Sequence, residues 1–258
     1  MNTELHILPI RGIGEIQPGV DLGGLIYDAL RSQQLILQQG DILVITQKIV
    51  SKAEGRLINL DEIQASEFAQ RIGQQGKKDA QHLEVVLRES KRIVRMDHGV
   101  LISETQHGFI CANAGVDESN VGGKRQLALL PVDPDRSAQE LRSRLQQLAR
   151  KHQDTPISDI ALIISDTWGR PWRNGQVNIA IGVAGMESVV DYRGQLDPYG
   201  YELQASAIAV ADELAAAAEL VMGKIDRVPV ALIRGYNYIP ATGSGRALIR
   251  ESATDMFR

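Results

Sequence analysis

Ile164-Ser165-Asp166-Thr167-Trp168-Gly169-Arg170-Pro171-Trp172-Arg173-Asn174-Gly175-Gln176-Val177-Asn178 follows directly on Ile160-Ala161-Leu162-Ile163, an uninterrupted apolar run. Such a run, rich in β-branched residues, predicts a buried strand over 160–164. The chain then delivers Asp166, Thr167, Gly169, Arg170, Arg173 and Asn174 in close succession, and both tryptophans of the protein, Trp168 and Trp172, sit among them. A carboxylate at the C-terminal end of a buried strand, followed by a polar, glycine-bearing loop, is where α/β proteins hold metal ions and phosphates. The plain alternative is a surface turn with solvated arginines; the density of hydrogen-bonding groups favours a site.

Around this stretch, strands and helices are predicted to alternate along the chain. Strands are expected over 5–10, 41–46, 109–113 and 228–233, the second leading into Gln47-Lys48-Ile49-Val50-Ser51-Lys52 as a strand tip that presents cations and hydroxyls. Apolar spacing predicts helices over 22–39, with Gly40 as its stop, and over 60–73, 83–90 and 137–151, the last with Ser137 as N-cap. The alanine-rich stretch 202–222 is expected to be the longest helix and central. The class is therefore α/β, in the mixed α+β sense, as one domain over 1–258 without a repeat, a low-complexity linker or a clean boundary.

Composition narrows the partners. A net charge of -4 over 258 residues leaves no global basic field for nucleic acid. The single cysteine, Cys111, excludes an intrachain disulfide and fits a reducing cytosol. The start, Met1-Asn2-Thr3-Glu4-Leu5, lacks the pattern of a signal peptide, and no apolar segment approaches a membrane span.

A second acidic, glycine-bearing loop, Ala114-Gly115-Val116-Asp117-Glu118-Ser119-Asn120, also follows an apolar strand. Asp117 and Asp166 are hard oxygen donors, suited to Mg2+ or Mn2+, and the histidines show no zinc spacing. Two such loops meeting across a cleft would hold metal ions and nucleotide phosphates. Lys48 and Lys52 could neutralise a phosphoryl group in transfer, and Arg170 and Arg173 offer forked donors to an anion. His107 reads best as a structural turn residue. Neither a P-loop nor a Rossmann fingerprint is present. The residues alone point to a metal-dependent enzyme acting on a phosphorylated or carboxylated small molecule.

With those loops in view, the chain resembles the coenzyme F420-0:L-glutamate ligase family over nearly its full length. The matching motifs are Leu8-Pro9-Ile10 through Gly14-Glu15-Ile16, Thr46-Gln47-Lys48-Ile49-Val50-Ser51-Lys52-Ala53-Glu54-Gly55, Ala114 to Asn120, Ser165 to Pro171, Val210 to Glu213, and Leu220 to Gly223. The resemblance implies a GTP-dependent ligase that joins the amine of L-glutamate to the lactyl carboxylate of a deazaflavin coenzyme, with further γ-linked glutamates as an extension. It implies a homodimer, Mg2+ or Mn2+ as cofactor with K+ as an additional ion, and GTP as co-substrate. By motif, Ile13, Gly14, Glu15, Ile16, Gln47, Lys52 and Asn120 would line the GTP, together with the turn Met222, Gly223, Lys224, Ile225, Asp226, Arg227, Val228 and Pro229. Asp117 and Asp166 would hold one metal ion and Thr167 would touch a second. Lys52 would act with the two aspartates in catalysis, and Arg170 or Arg173 would grip a substrate anion. Lys224 stands where some relatives carry a glutamine metal ligand. The chain has no counterpart of the C-terminal flavin-type domain of some relatives. The competing readings are a non-catalytic GTP- or coenzyme-binding module of the same fold, and an amide ligase with a different acceptor.

Overall fold

The computed structural model describes residues 4–118, 125–152 and 157–256. The chain opens with β1 (His6–Ile10), α1 (Leu22–Ser32), β2 (Ile42–Thr46) and α2 (Gln47–Ala53). It continues through β3 (Leu57–Asn59), α3 (Glu67–Gly76), α4 (Ala80–Glu89), β4 (Ser90–Asp97), β5 (Val100–Thr105), β6 (Ile110–Ala112) and β7 (Gln126–Ala128). Then come α5 (Pro134–His152), β8 (Ala161–Arg170), β9 (Arg173–Ala184), β10 (Val190–Asp191), β11 (Ala207–Ile208), α6 (Val210–Met222) and β12 (Val230–Arg234).

The central sheet has the order β1-β12-β2-β8-β9. β2 and β8 run parallel; the other neighbours are antiparallel. Both faces are covered, so β2 reads as a continuous apolar run rather than an alternating one. Leu43 and Ile45 pack with Leu162 and Ile164 against Ile26 and Leu30 of α1 and Leu145 and Ala149 of α5. Ile42 and Val44, pointing the other way, pack with Ile163 against Ala211, Leu214, Ala215 and Ala218 of α6. A third core, built on Leu60, Ile72, Leu83, Val86, Leu101 and Leu127, joins α3 and α4 to the small sheets β4-β5-β6 and β3-β7. Among the described residues no helix is long and apolar enough to cross a membrane.

The mixed α/β class holds, and several elements differ from the sequence reading. Residues 164–178 form no loop: β8 runs on to Arg170 and pairs with β9 in a long hairpin, turned by Pro171 and Trp172. Thr167, Trp168, Val177 and Ile179 are good strand formers, and they outweigh the turn signals of Gly169 and Asn174. The stretch after Thr46 is helix α2, not a strand tip. Leu60–Glu62 is a single 3-10 turn, and α3 starts anew where the Ser66 hydroxyl accepts from the Ala69 N–H. Helix α1 stops at Ser32, far short of Gln39. Helix α6 begins only at Val210, so α5 is longer. Asp133, not Ser137, caps α5, accepting from the Arg136 N–H at 3.1 Å with Pro134 in the first turn.

Asp41, fully buried at the start of β2, ties the sheet to the segment before it. Arg234 at the end of β12 donates to both of its carboxylate oxygens at 2.7 Å, and the Gln38 N–H adds a third bond at 2.8 Å. Asp41→Ala leaves the guanidinium facing an uncompensated site and should cost about 3 kcal/mol in urea unfolding. A loss below roughly 0.5 kcal/mol, the range of neutral surface changes, would contradict this assignment.

Candidate active site

The strand register gathers the sequence motifs at one end of the central sheet. Ile10 pairs with Val230, Val230 with Ile45, and Thr46 with Ser165. The segment 11–16 therefore leaves the sheet beside the turn 222–229, the start of α2 and Asp166. The turn is pinned there by the Thr46 N–H, which donates to the Pro229 carbonyl at 2.9 Å.

Asp166 lies just beyond a register shift between Ile164 and Ser165. Its Oδ1 accepts from the Thr167 N–H at 2.8 Å and its Oδ2 from the Trp168 indole N–H at 2.7 Å. Burial pushes its carboxyl up to about 6, against these bonds; the charge of Asp117 adds to the rise and that of Lys48 opposes it. The two aspartates are thus close enough to act on each other's ionisation. Asp117 is set by a bridge to Ala128, with backbone bonds of 3.0 and 2.8 Å, after a tight turn in which Asn113, Ala114 and Gly115 all have positive φ. The Lys48 ammonium, on the first turn of α2, sits 2.6 Å from Asp117 Oδ2. Cys111 lies near enough to feel Asp166, but burial above all pushes its thiol up to about 12, so it is no nucleophile.

Around this pair runs a second set of polar contacts. Lys224 Nζ donates to Thr167 Oγ1 at 3.0 Å, the Thr167 hydroxyl donates to Asn178 Oδ1 at 2.7 Å, and Asn178 Nδ2 donates to Glu219 Oε2 at 2.8 Å. Lys52 is buried and pairs with exposed Glu15 at 2.5 Å, which joins the segment 13–16 to α2. Buried Gln47 accepts from the Ser51 hydroxyl at 2.7 Å, while its Nε2 has no partner among the described residues. Ile13 and Ile16 are buried in the core, and Gly14 and Glu15 face outward. In the turn after α6, Met222 and Val228 are buried, whereas Gly223, Lys224, Ile225, Asp226 and Arg227 are exposed.

Arg170 and Arg173 are not brought to the carboxylates. Arg170 lies four residues beyond Asp166, roughly 13 Å of strand, and its guanidinium donates to the Asn174 carbonyl at 2.6 Å. Arg173 is exposed across the hairpin turn. Asn120 lies outside the described residues. His107 has the structural role expected of it, with Nε2 at 2.9 Å from the Pro131 carbonyl.

The donor set admits a hard divalent ion at Asp117 and Asp166. Two converging carboxylates already attract a cation, the Lys48 ammonium, and Mg2+ or Mn2+ needs only one or two protein carboxylates besides water and substrate phosphates. No group of three or more His, Cys, Asp and Glu gathers among the described residues, so no closed all-protein cage exists there. At Thr167, where a second ion is expected, the Lys224 ammonium donates to the hydroxyl oxygen.

Sequence reading missed Trp168 as a partner of Asp166, Lys48 as the partner of Asp117, and the Asn178–Glu219 relay. The signal for Asn178 was its pairing position opposite Thr167, which emerges only once 164–178 is read as a hairpin.

Because burial and Asp117 raise the folded-state pKa of Asp166 above its unfolded value, ionising it costs the folded state. Without divalent ions, stability should fall as pH rises through about 6, and Asp166→Asn should flatten that fall. Thermal unfolding in chelator at about pH 5 and about pH 8 reads this out; identical pH dependence in both proteins would contradict it.

Comparison with known proteins shows the family of the chain. The sequence model of the F420-0:Gamma-glutamyl ligase family matches residues 12–235. The coenzyme F420:L-glutamate ligase of Methanothermobacter thermautotrophicus is 43% identical over 257 residues, covering 98% of this chain and 99% of the relative. That of Methanopyrus kandleri is 43% identical over 259 residues, 98% of each chain, and that of Methanocaldococcus jannaschii 42% over 226 residues, 87% of each. Most of the chain matches the family's sequence model, and relatives of this identity span nearly all of it; the protein belongs to the F420-0:gamma-glutamyl ligase family.

Proposed function

We propose that this chain catalyses GTP-dependent amide formation between L-glutamate and the lactyl carboxylate of coenzyme F420-0; the names of its relatives support a ligase that acts on coenzyme F420 and L-glutamate. The observation that carries the reading is the convergence of Asp117 and Asp166, with Lys48 and Lys52 nearby, at the sheet end where the family motifs gather.

A carboxylate is a poor acyl donor. In the proposed reaction its oxygen attacks the γ-phosphorus of GTP, the bond from that phosphorus to the GDP oxygen breaks, and an acyl phosphate results. The glutamate amine then attacks the acyl carbon: the C–N bond forms, the C–O bond to phosphate breaks, inorganic phosphate leaves, and the amine loses a proton. A divalent ion bound at Asp117 and Asp166 would supply charge neutralisation for the phosphates. Segment 13–16, Gln47, Lys52, Asn120 and residues 222–229 would line the nucleotide. Lys52, now paired with Glu15 in a buried setting, would offer its ammonium to a phosphate oxygen. Trp168 would hold Asp166 in orientation through its N–H. The apolar groups behind the pair, including Phe109 against Trp168, would keep water from the acyl phosphate. Lys224 would supply positive charge beside Thr167 in place of a second metal ion. Addition of further γ-linked glutamates and a homodimeric state belong to the same reading.

Incubating the protein with GTP, Mn2+, L-glutamate and coenzyme F420-0 should yield GDP, phosphate and a coenzyme heavier by one glutamyl unit, and chelator should abolish this. Asp117→Asn should lower kcat by roughly a hundred-fold or more. No GDP and no heavier coenzyme from the wild-type protein would overturn the reading.

A further inference from the structure

A chain of side chains fastens the end of α6, and the turn that follows it, to the β8–β9 hairpin. Thr167 and Asn178 lie directly opposite each other on the hairpin. Glu219 comes from the last turn of α6 and Lys224 from just beyond it. Between them Gly223 closes the helix, its N–H donating to the Glu219 carbonyl at 3.0 Å. Its φ of +61° suits glycine, and a Cβ there would meet the Asp226 carboxylate, so the base of the turn is tightly set.

The hydrogen bonds run in one direction only. The Glu219 carboxylate accepts, so Asn178 must turn its Nδ2 toward it, at 2.8 Å. That leaves Asn178 Oδ1 facing Thr167 at 2.7 Å, and an amide oxygen can only accept. The Thr167 proton is thereby committed, and the hydroxyl presents only lone pairs to any other neighbour. The Lys224 ammonium, which can only donate, takes them at 3.0 Å. Asn178 is buried, and a buried amide whose bonds are made holds its orientation firmly. Glu219 and Lys224 are the charged ends of this chain, and two neutral side chains stand between them.

Its position gives it a task. Successive side chains of a strand alternate, so Asp166 and Trp168 leave β8 on one face and Thr167 on the other. The paired aspartates and the Lys224 ammonium therefore flank the end of β8. The Thr167 residue is common to both, since its N–H donates to Asp166 Oδ1. A polyphosphate laid across this end of the sheet would have the aspartates on one side and an ammonium on the other. Lys224 is exposed, and its ammonium has further N–H donors beyond the one that Thr167 takes. Asp226 and Arg227, in the same turn, carry opposite charges and stand outside the chain of bonds.

We propose that Asn178 and Glu219 are positioning residues of the nucleotide site: by committing the Thr167 proton they seat the Lys224 ammonium where the phosphates of the nucleotide arrive. The inference rests on the reading that residues 222–229 line the nucleotide. Without the two residues the Thr167 hydroxyl turns freely, and an ammonium on a long flexible stem loses its seat.

Calorimetric titration of GDP into the full-length protein, with Mn2+ present, tests this. Lys224→Met should raise the Kd for GDP about ten-fold, as expected for one hydrogen bond to a charged group. Asn178→Ala and Glu219→Ala should each raise it at least about three-fold, and Glu219→Gln, which keeps an oxygen for Asn178 Nδ2, should restore most of the affinity. In the Lys224→Met background Asn178→Ala should add less than about two-fold, because it acts through the ammonium. In turnover the variants should raise KM for GTP in parallel and leave KM for L-glutamate within about two-fold. If Asn178→Ala fails to fold, Glu219→Ala carries the same comparison. An equal loss with and without Lys224, or an unchanged Kd in folded Lys224→Met, overturns the positioning role, and normal turnover by the wild-type protein then leaves the ligase reading standing. The expected pattern of GDP binding in a protein that makes no glutamylated coenzyme does the reverse.

Discussion

Asp117 and Asp166 repel each other, and the fold holds them together all the same. Each is fixed by bonds it cannot easily leave: Asp117 by its backbone bridge to Ala128, Asp166 by the Thr167 N–H and the Trp168 indole. The Lys48 ammonium offsets part of the repulsion, and burial above all, with the Asp117 charge adding to it, pushes the Asp166 carboxyl up. A protein that concentrates negative charge in a half-buried place gives up stability for a standing attraction toward cations. Everything proposed for this chain's chemistry depends on that attraction.

The two carboxylates come from different cores. Asp166 continues a strand buried between α1 and α5 on one face and α6 on the other, while Asp117 hangs from the smaller core under α3 and α4. Helix α2 lies where they meet: Ile49 and Val50 belong to the main core, Lys48 reaches Asp117, and Lys52 reaches Glu15. The register shift between β8 and β9 matters for the same reason. Ile164 pairs with Gly182 and Ser165 with Ala180, so Ile181 is an extra residue in β9, and β9 resets which of its side chains share a face just opposite Asp166.

The strands 41–46, 160–164 and 228–233 were legible as short apolar runs, because a sheet covered on both faces needs apolar side chains at every position. Helix α2 was not: seven residues with four polar side chains carry little periodicity, and the helix stands because β2 delivers it against the main core. The hairpin β8–β9 was hidden by Gly169, Pro171, Asn174 and Gly175, which mimic an open loop, although the ladder runs through or up to them. At the site, Asp117 and Asp166 were legible as carboxylates that each follow an apolar run, although Asp166 lies in strand β8 rather than in a loop. Nearness in sequence misled for Arg170 and Arg173, since an extended strand carries a neighbour four residues on well away. The Asp41–Arg234 pair and the bond from the Ala180 N–H to Asp212 depend on contacts between distant segments, and no local pattern announces them.

The central claim is that the two aspartates act as one cation site. Electron paramagnetic resonance of Mn2+ titrated into the protein with GDP measures this directly. The account predicts one bound ion per chain, lost when either Asp117 or Asp166 becomes asparagine. Binding of Mn2+ with unchanged affinity in either variant would contradict it.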